Sequence, residues 1–123
     1  MTPLHQWSAT QLQQGLAQKE IRATEVVDSC LQAIEQSNDQ LQALITVCAD
    51  QALAVAQQID EARSRGEVLG PLAGIPFSAK DLTPTAGVRT TMGSLIYQDN
   101  VPIQDELCIA RLKQTGGILL GKT

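Results

Sequence analysis

GGILLGKT, residues 116–123, admits two incompatible readings. Its letters fit G-x-x-x-x-G-K-[ST], a loop whose backbone N–H groups cradle phosphate and which must follow a strand and open a helix. The residues before it argue otherwise. ELCIARLKQ, residues 106–114, carries Leu107, Cys108, Ala110, the stem of Arg111 and Leu112 as an apolar stripe, so it reads as a helix capped by Asp105. Gly116 and Gly117 end that helix. Ile118, Leu119 and Leu120 are large and apolar, and favour burial in a sheet over display around a polyphosphate. The stretch therefore predicts helix, glycine turn and buried strand, with Gly121-Lys122-Thr123 at the strand's exit and Lys122 in a structural role.

The residues just upstream support a sheet. Residues 66–93 hold Gly66, Gly70, Gly74, Gly87 and Gly93 together with Pro71, Pro76 and Pro84, a density that excludes a long helix. Short extended pieces fit at residues 75–79 and 88–91. Before that the chain reads as helices. Ser8 and Gln11 form a capping box opening a helix to about Lys19, with Leu4 and Leu12 as a hydrophobic staple. Thr24 is placed to cap a second helix, whose stripe is Val26, Val27, Cys30, Leu31 and Ile34 and which should stop near Ser37-Asn38-Asp39. ALITVC, residues 43–48, is rich in β-branched and large apolar residues and reads as a short buried strand. Asp50 is placed to cap a third helix, with Ala52, Leu53, Val55, Ala56, Ile59 and Ala62 buried, Arg63 and Arg65 in its last turn and Gly66 closing it. The expectation is a single unit of class α/β. Residues 1–66 form a helical region with one short strand, and residues 67–123 form the start of a sheet core.

Composition narrows the function. A chain of 123 residues suffices for one domain with a modest core. Trp7, Phe77 and Tyr97 are its only aromatics, so that core must rest on Leu, Ile, Val and Ala. A net charge of −4 provides no general attraction to nucleic acid or anionic lipid. Cys30, Cys48 and Cys108 are odd in number and lie far apart, which suits free thiols in a reducing compartment better than disulfides or a metal. His5 is the only histidine, which leaves little for a metal site or a Ser–His pair within the chain. The start, MTPLHQWSATQLQQ, lacks the basic and apolar regions of a secretory signal, and no apolar run is long enough to span a bilayer. These features predict a cytoplasmic protein without cofactor or metal, and without direct contact to nucleic acid or membrane.

GPLAGIPFSAKDLTPTAGVRTTMGS, residues 70–94, carries a denser pattern. It resembles the amidase-signature family of serine amidohydrolases, whose pattern runs G-P-L-x-G-[IV]-P-x-x-x-K-D and then G-[VI]-x-T-T-x-G-S. Gly70, Pro71, Leu72, Gly74, Ile75, Pro76, Lys80, Asp81, Gly87, Val88, Thr90, Thr91, Gly93 and Ser94 all match. VPIQDELCIARLKQTGGILLGKT, residues 101–123, is similar to the helix, glycine turn and Gly-Lys-Thr strand of the same family. RATEVVDSCLQAIE and ALITV resemble its N-terminal region. The resemblance implies the N-terminal part of an α/β/α fold, with a mixed sheet between helical layers. It also implies a small-molecule amide as substrate, cleaved at its C–N bond by a Ser–cis-Ser–Lys triad. In that triad one Ser attacks the carbonyl, the cis-Ser relays the proton and the Lys is the base.

The triad's lysine matches Lys80. The family's two serines belong to a Gly/Ser-rich segment after the Gly-Lys-Thr strand, and these residues hold no GGSSGG-like run. The resemblance thus implies the opening portion of an amidase, inactive alone. A lysine base must lose its proton near neutral pH, a fall of about three units from its ordinary value that burial and hydrogen bonding to a neutral partner can supply. Lys80 is expected at the end of a strand, pointing into the core's polar centre; without the missing sheet and serines, water would reach it. The alternative is a surface lysine paired with Asp81. Asp81, Thr90 and Thr91 are expected as structural support, and Gly93 and Ser94 as lining of the acyl pocket. A narrower reading is the A subunit of a glutamine-dependent aminoacyl-tRNA amidotransferase. A non-catalytic interaction module or truncated gene product is the reading from another class. Strands lacking sheet neighbours would then favour self-association.

Overall fold

The computed structural model describes residues 1–123. Ser8 precedes helix α1 (Ala9–Ala17) and makes the reciprocal pair expected of it: its hydroxyl accepts from the Gln11 N–H, and its own N–H donates to the Gln11 side chain at 2.8 Å. Helix α2 (Ala23–Leu41) is capped from far along the chain. Asp60, in helix α3 (Ala49–Ser64), accepts from the N–H groups of Ala23 at 2.7 Å and Thr24 at 3.0 Å and from the Thr24 hydroxyl at 2.8 Å. Thr24 therefore lies inside the first turn instead of capping it, as does Asp50 in α3. α2 also runs past Ser37-Asn38-Asp39. The Asn38 amide donates to the Leu44 carbonyl and accepts from its N–H, and the helix closes at Gln42, with φ of 48°.

Three strands form one sheet in the order β1 (Thr46–Val47), β3 (Ile118–Lys122), β2 (Pro76–Ala79). β1 runs antiparallel to β3 and β2 parallel to it. Parallel neighbours need a crossover, supplied by the loop after β2 and helix α4 (Leu107–Gln114). β3 is central and buried throughout, which is where an unbroken Ile-Leu-Leu run belongs. A glycine before it and one within it serve close packing. A Cβ on Gly116, whose φ is 95°, would lie 2.4 Å from Ala73 Cα, and one on Gly121 would lie 2.3 Å from the Thr46 carbonyl oxygen. GGILLGKT is thus a helix end and a central strand, and the phosphate-loop pattern is fortuitous.

The core has two parts, one on each side of the sheet. Leu12, Leu16, Val26, Val27, Ala52 and Ala56 pack with Ile118 and Leu120 on the side of α1, α2 and α3. Ala79, Val88, Ile109 and Leu119 form a smaller cluster on the side of α4. The mixed sheet between helices is the α/β class expected.

Five local expectations need correction, the first being Val55, which lies 39% exposed on α3 outside its buried face. ALITVC yields a two-residue edge strand with Ile45 and Val47 at 49% and 38% exposure, since only one neighbour is present to cover it. Residues 88–91 form no strand, only an isolated bridge between Thr85 and Val88. α4 turns Ile109 inward and leaves Leu107 and Cys108 exposed. Asp105 does not cap it: that carboxylate accepts from the Ala86 N–H at 2.8 Å and from Lys113 Nζ at 2.9 Å.

Candidate active site

The site grows from the end of β2. Exposure alternates there with the period of a strand: Ser78 and Lys80 are exposed, Ala79 and Asp81 buried. The parallel ladder continues beyond the strand, because the Thr123 N–H donates to the Ala79 carbonyl at 2.9 Å and the Asp81 N–H to the Thr123 carbonyl at 2.8 Å. Lys80 is therefore fixed at a strand end, as expected, but its side chain leaves on the open face and does not enter a polar centre. The alternation forces this, since Asp81 takes the inward position. Lys80 is not paired with Asp81.

Asp81, only 5% exposed, joins the strand end to the loop that follows. Its carboxylate accepts from the Thr91 N–H at 3.1 Å and from the Thr91 hydroxyl, and its carbonyl accepts from the Met92 N–H at 2.9 Å. Met92 and Gly93 follow with φ of 56° and 67°, two successive left-handed residues. The Met92 conformation is uncommon for a residue with a side chain. The turn is held by the Gly93 N–H on the Thr91 hydroxyl and the Ser94 N–H on the Thr91 carbonyl. Gly93 is exposed and Ser94 half-buried; the Ser94 hydroxyl accepts from the Ile96 N–H at 3.2 Å, at the start of a 3₁₀ turn. Arg89 donates to the Gln98 carbonyl and makes no ion pair there.

At the centre of the buried side sits Lys122, with no exposed surface. A register shift between Phe77 and Ser78 pairs Lys122 with Ala79. Such a shift re-aims the side chains beyond it. The ammonium donates to the Thr83 carbonyl at 2.8 Å, the Thr85 hydroxyl at 3.1 Å and the Thr90 hydroxyl at 2.6 Å. Asp81 lies 4.0 Å away and balances its charge. The network is closed: the Thr90 hydroxyl passes its own proton to the Val88 carbonyl, and Asn100 braces Thr90 by accepting its N–H and donating to its carbonyl. Burial lowers the Lys122 pKa, opposed by the charge of Asp81. Burial likewise raises the Cys48 thiol, which donates to the Leu119 carbonyl.

The structure thus brings Asp81, Thr90 and Thr91 together around Lys122, places Lys80 on the opposite side of the strand end, and sets Gly93 and Ser94 on the adjoining loop. Thr83, Thr85 and Asn100 join this cluster without having been singled out from sequence. The available signal was the crowding of hydroxyl residues in TPT and TT and a lysine closing an apolar strand.

Comparison with known proteins identifies the family. The family model described as Amidase matches residues 25–123. The chain belongs to the amidase family. The A subunit of the glutamyl-tRNA(Gln) amidotransferase of Synechococcus sp. strain CC9605 is 48% identical over 92% of this chain and 22% of its own length. Its counterpart in Moorella thermoacetica is 43% identical over 97% and 24%. Among solved structures, native peptide amidase from Stenotrophomonas maltophilia has a TM-score of 0.91 and 33% identity, covering 98% of this chain and 25% of that one. A bacterial aryl acylamidase of the amidase signature family has the same TM-score and 28% identity, over 99% and 26%. The chain spans about a quarter of the length of these relatives. No helix is long and apolar enough to cross a membrane.

Proposed function

We propose that, in a protein of the relatives' length, these residues form one wall of a site that breaks a carboxylic amide C–N bond, with Lys80 as the base. The carrying observation is the split at the end of β2, where Lys80 leaves on the open face while Asp81 ties its backbone down behind it. The two serines implied by the family resemblance are not supplied by residues 1–123, which hold no Gly/Ser-rich run. Water ends as the acyl acceptor: its oxygen forms the new C–O bond, the C–N bond breaks, and the released nitrogen leaves as ammonia or amine. Lys80 takes a proton from the attacking chain of hydroxyls and returns it to the leaving nitrogen. Asp81, Thr90 and Thr91 hold the frame, and Gly93 and Ser94 lie where the loop can line the acyl side.

Within that reading we favour the amide of glutamine as substrate, with ammonia handed to an aminoacyl-tRNA through partner subunits. The relatives at 48% and 43% identity are amidotransferase A subunits, whereas the peptide amidase is 33% identical. The test is ammonia release by the full-length protein from glutamine, a peptide amide and an anilide. Glutamine as the preferred substrate is expected, and Lys80→Ala should abolish release from it. Preference for another amide would move the assignment to a stand-alone amidase, and an undiminished Lys80→Ala variant would remove Lys80 from the chemistry.

A further inference from the structure

Lys122 is the most completely buried cation of the molecule, and amide cleavage as described above makes no use of it. All three of its N–H bonds have acceptors inside the protein, so no donor remains for a substrate. What it does can be followed along the backbone. The Lys80 carbonyl accepts from the Thr83 N–H at 2.9 Å, and the Thr83 carbonyl accepts from Lys122 at 2.8 Å. The ammonium thus draws in the far end of the turn that presents Lys80. In the other direction it holds the hydroxyl of Thr90, the residue before the Thr91 that Asp81 grips and four before Ser94. One buried charge links the turn carrying Lys80 to the loop carrying Gly93 and Ser94.

We propose that Lys122 is a positioning residue of the amide-cleaving site, setting the Lys80 turn and the Thr90–Ser94 loop relative to each other through Thr83, Thr85 and Thr90. This rests on the amide-cleaving reading above. A cation suits the task because it can gather three oxygen acceptors from separate segments at one point, and burial keeps water from competing for them. Misplacement of a reacting group by about 1 Å can cost on the order of a hundredfold in rate, so modest loosening of this link is measurable as kinetics.

The test uses the full-length protein, with ammonia release resolved into kcat and KM. Thr90→Val keeps the shape but removes the hydroxyl. It should still unfold cooperatively, lose about tenfold or more in kcat and leave KM within about twofold. Thr90→Ser restores the hydroxyl and should return kcat to within about twofold of the unsubstituted protein. Lys122→Met should lose more than Thr90→Val; should it fail to fold, the Thr90 pair still decides. A folded Thr90→Val variant with undiminished kcat would overturn the positioning role alone. Equal loss in Thr90→Ser and Thr90→Val would also overturn it, because the hydroxyl would then be irrelevant. If the unsubstituted protein releases ammonia from no amide, the functional reading itself falls, and this one with it.

Discussion

The two sides of the β2 end differ in almost every physical respect although they share one stretch of backbone, Ser78 to Asp81. On one side Asp81, Lys122, Thr85, Thr90 and Thr91 are buried and hydrogen-bonded to one another or to nearby carbonyls. On the other, Ser78 and Lys80 are exposed. The buried side is costly to assemble, since charges leave water there, and correspondingly costly to break once one partner is removed. The open side costs little to alter. On the reading proposed above, stability and chemistry are segregated across one strand, so substitutions on the two sides should separate in their effects.

The largest expected contrast is in activity. In the full-length protein, Lys80→Ala should lower amide turnover by on the order of 10²–10⁴, the usual worth of a positioned acid–base group, while in the chain of residues 1–123, where Lys80 is exposed, the urea midpoint stays put. A shifted midpoint would mean that Lys80 belongs to the frame. Next comes stability. Asp81→Ala leaves the buried Lys122 without a counter-charge and should cost about 3–5 kcal/mol in urea unfolding. Lys80→Ala, one residue earlier, should stay within about 0.5 kcal/mol, as exposed substitutions do. Comparable losses at the two positions would erase the distinction between the sides. A finer version sets Thr91→Val against Ser78→Ala. Thr91→Val leaves Asp81 and the Gly93 N–H short of a partner and should cost about 1–3 kcal/mol, and Ser78→Ala almost nothing.

The smallest effect concerns acid. Asp105 anchors the loop of the buried side to α4 through the Ala86 N–H and Lys113. Burial alone would raise its pKa, but the hydrogen bonds from Lys113 and Ala86 and the charge of Lys113 outweigh it, so the net shift is downward from the ordinary 3.8. A lowered carboxyl stabilises the fold above the ordinary value, and that contribution is lost as pH falls through 3.8 toward the lower folded value. Asp105→Asn should therefore unfold more easily than the unsubstituted chain at pH 6, by about 1–2 kcal/mol, with the gap narrowing below pH 4. A gap that widens in acid would reverse the assignment.

Part of this architecture is legible in the order of the residues. Ile118-Leu119-Leu120 demands a buried strand, and the helix and glycines before it remove the phosphate-loop reading. The Ser8–Gln11 pair marks its helix because both partners lie within one turn. Where the stabilising partner is distant, neighbouring residues mislead. Asp60 caps α2 from another helix, and Asp105 is taken by Ala86 and Lys113, so neither role is encoded near the groups concerned. ALITVC has the composition of a buried strand but lies at the sheet edge, and composition does not report the number of neighbours. The site divides in the same way. Lys80, Asp81, Thr90 and Thr91 stand out in the family pattern, whereas the direction of Lys80 and the place of Lys122 depend on strand alternation and on a register shift that the sequence does not announce.

Competitive acetylation of the folded chain, read residue by residue by mass spectrometry, tests the central division between the two lysines most directly. Lys80 should label at the rate of the exposed Lys19, and Lys122 at least about a hundredfold more slowly, because its reaction awaits opening of the buried cluster. Equal labelling of Lys80 and Lys122, or protection of Lys80 with Lys122 reactive, would contradict the account.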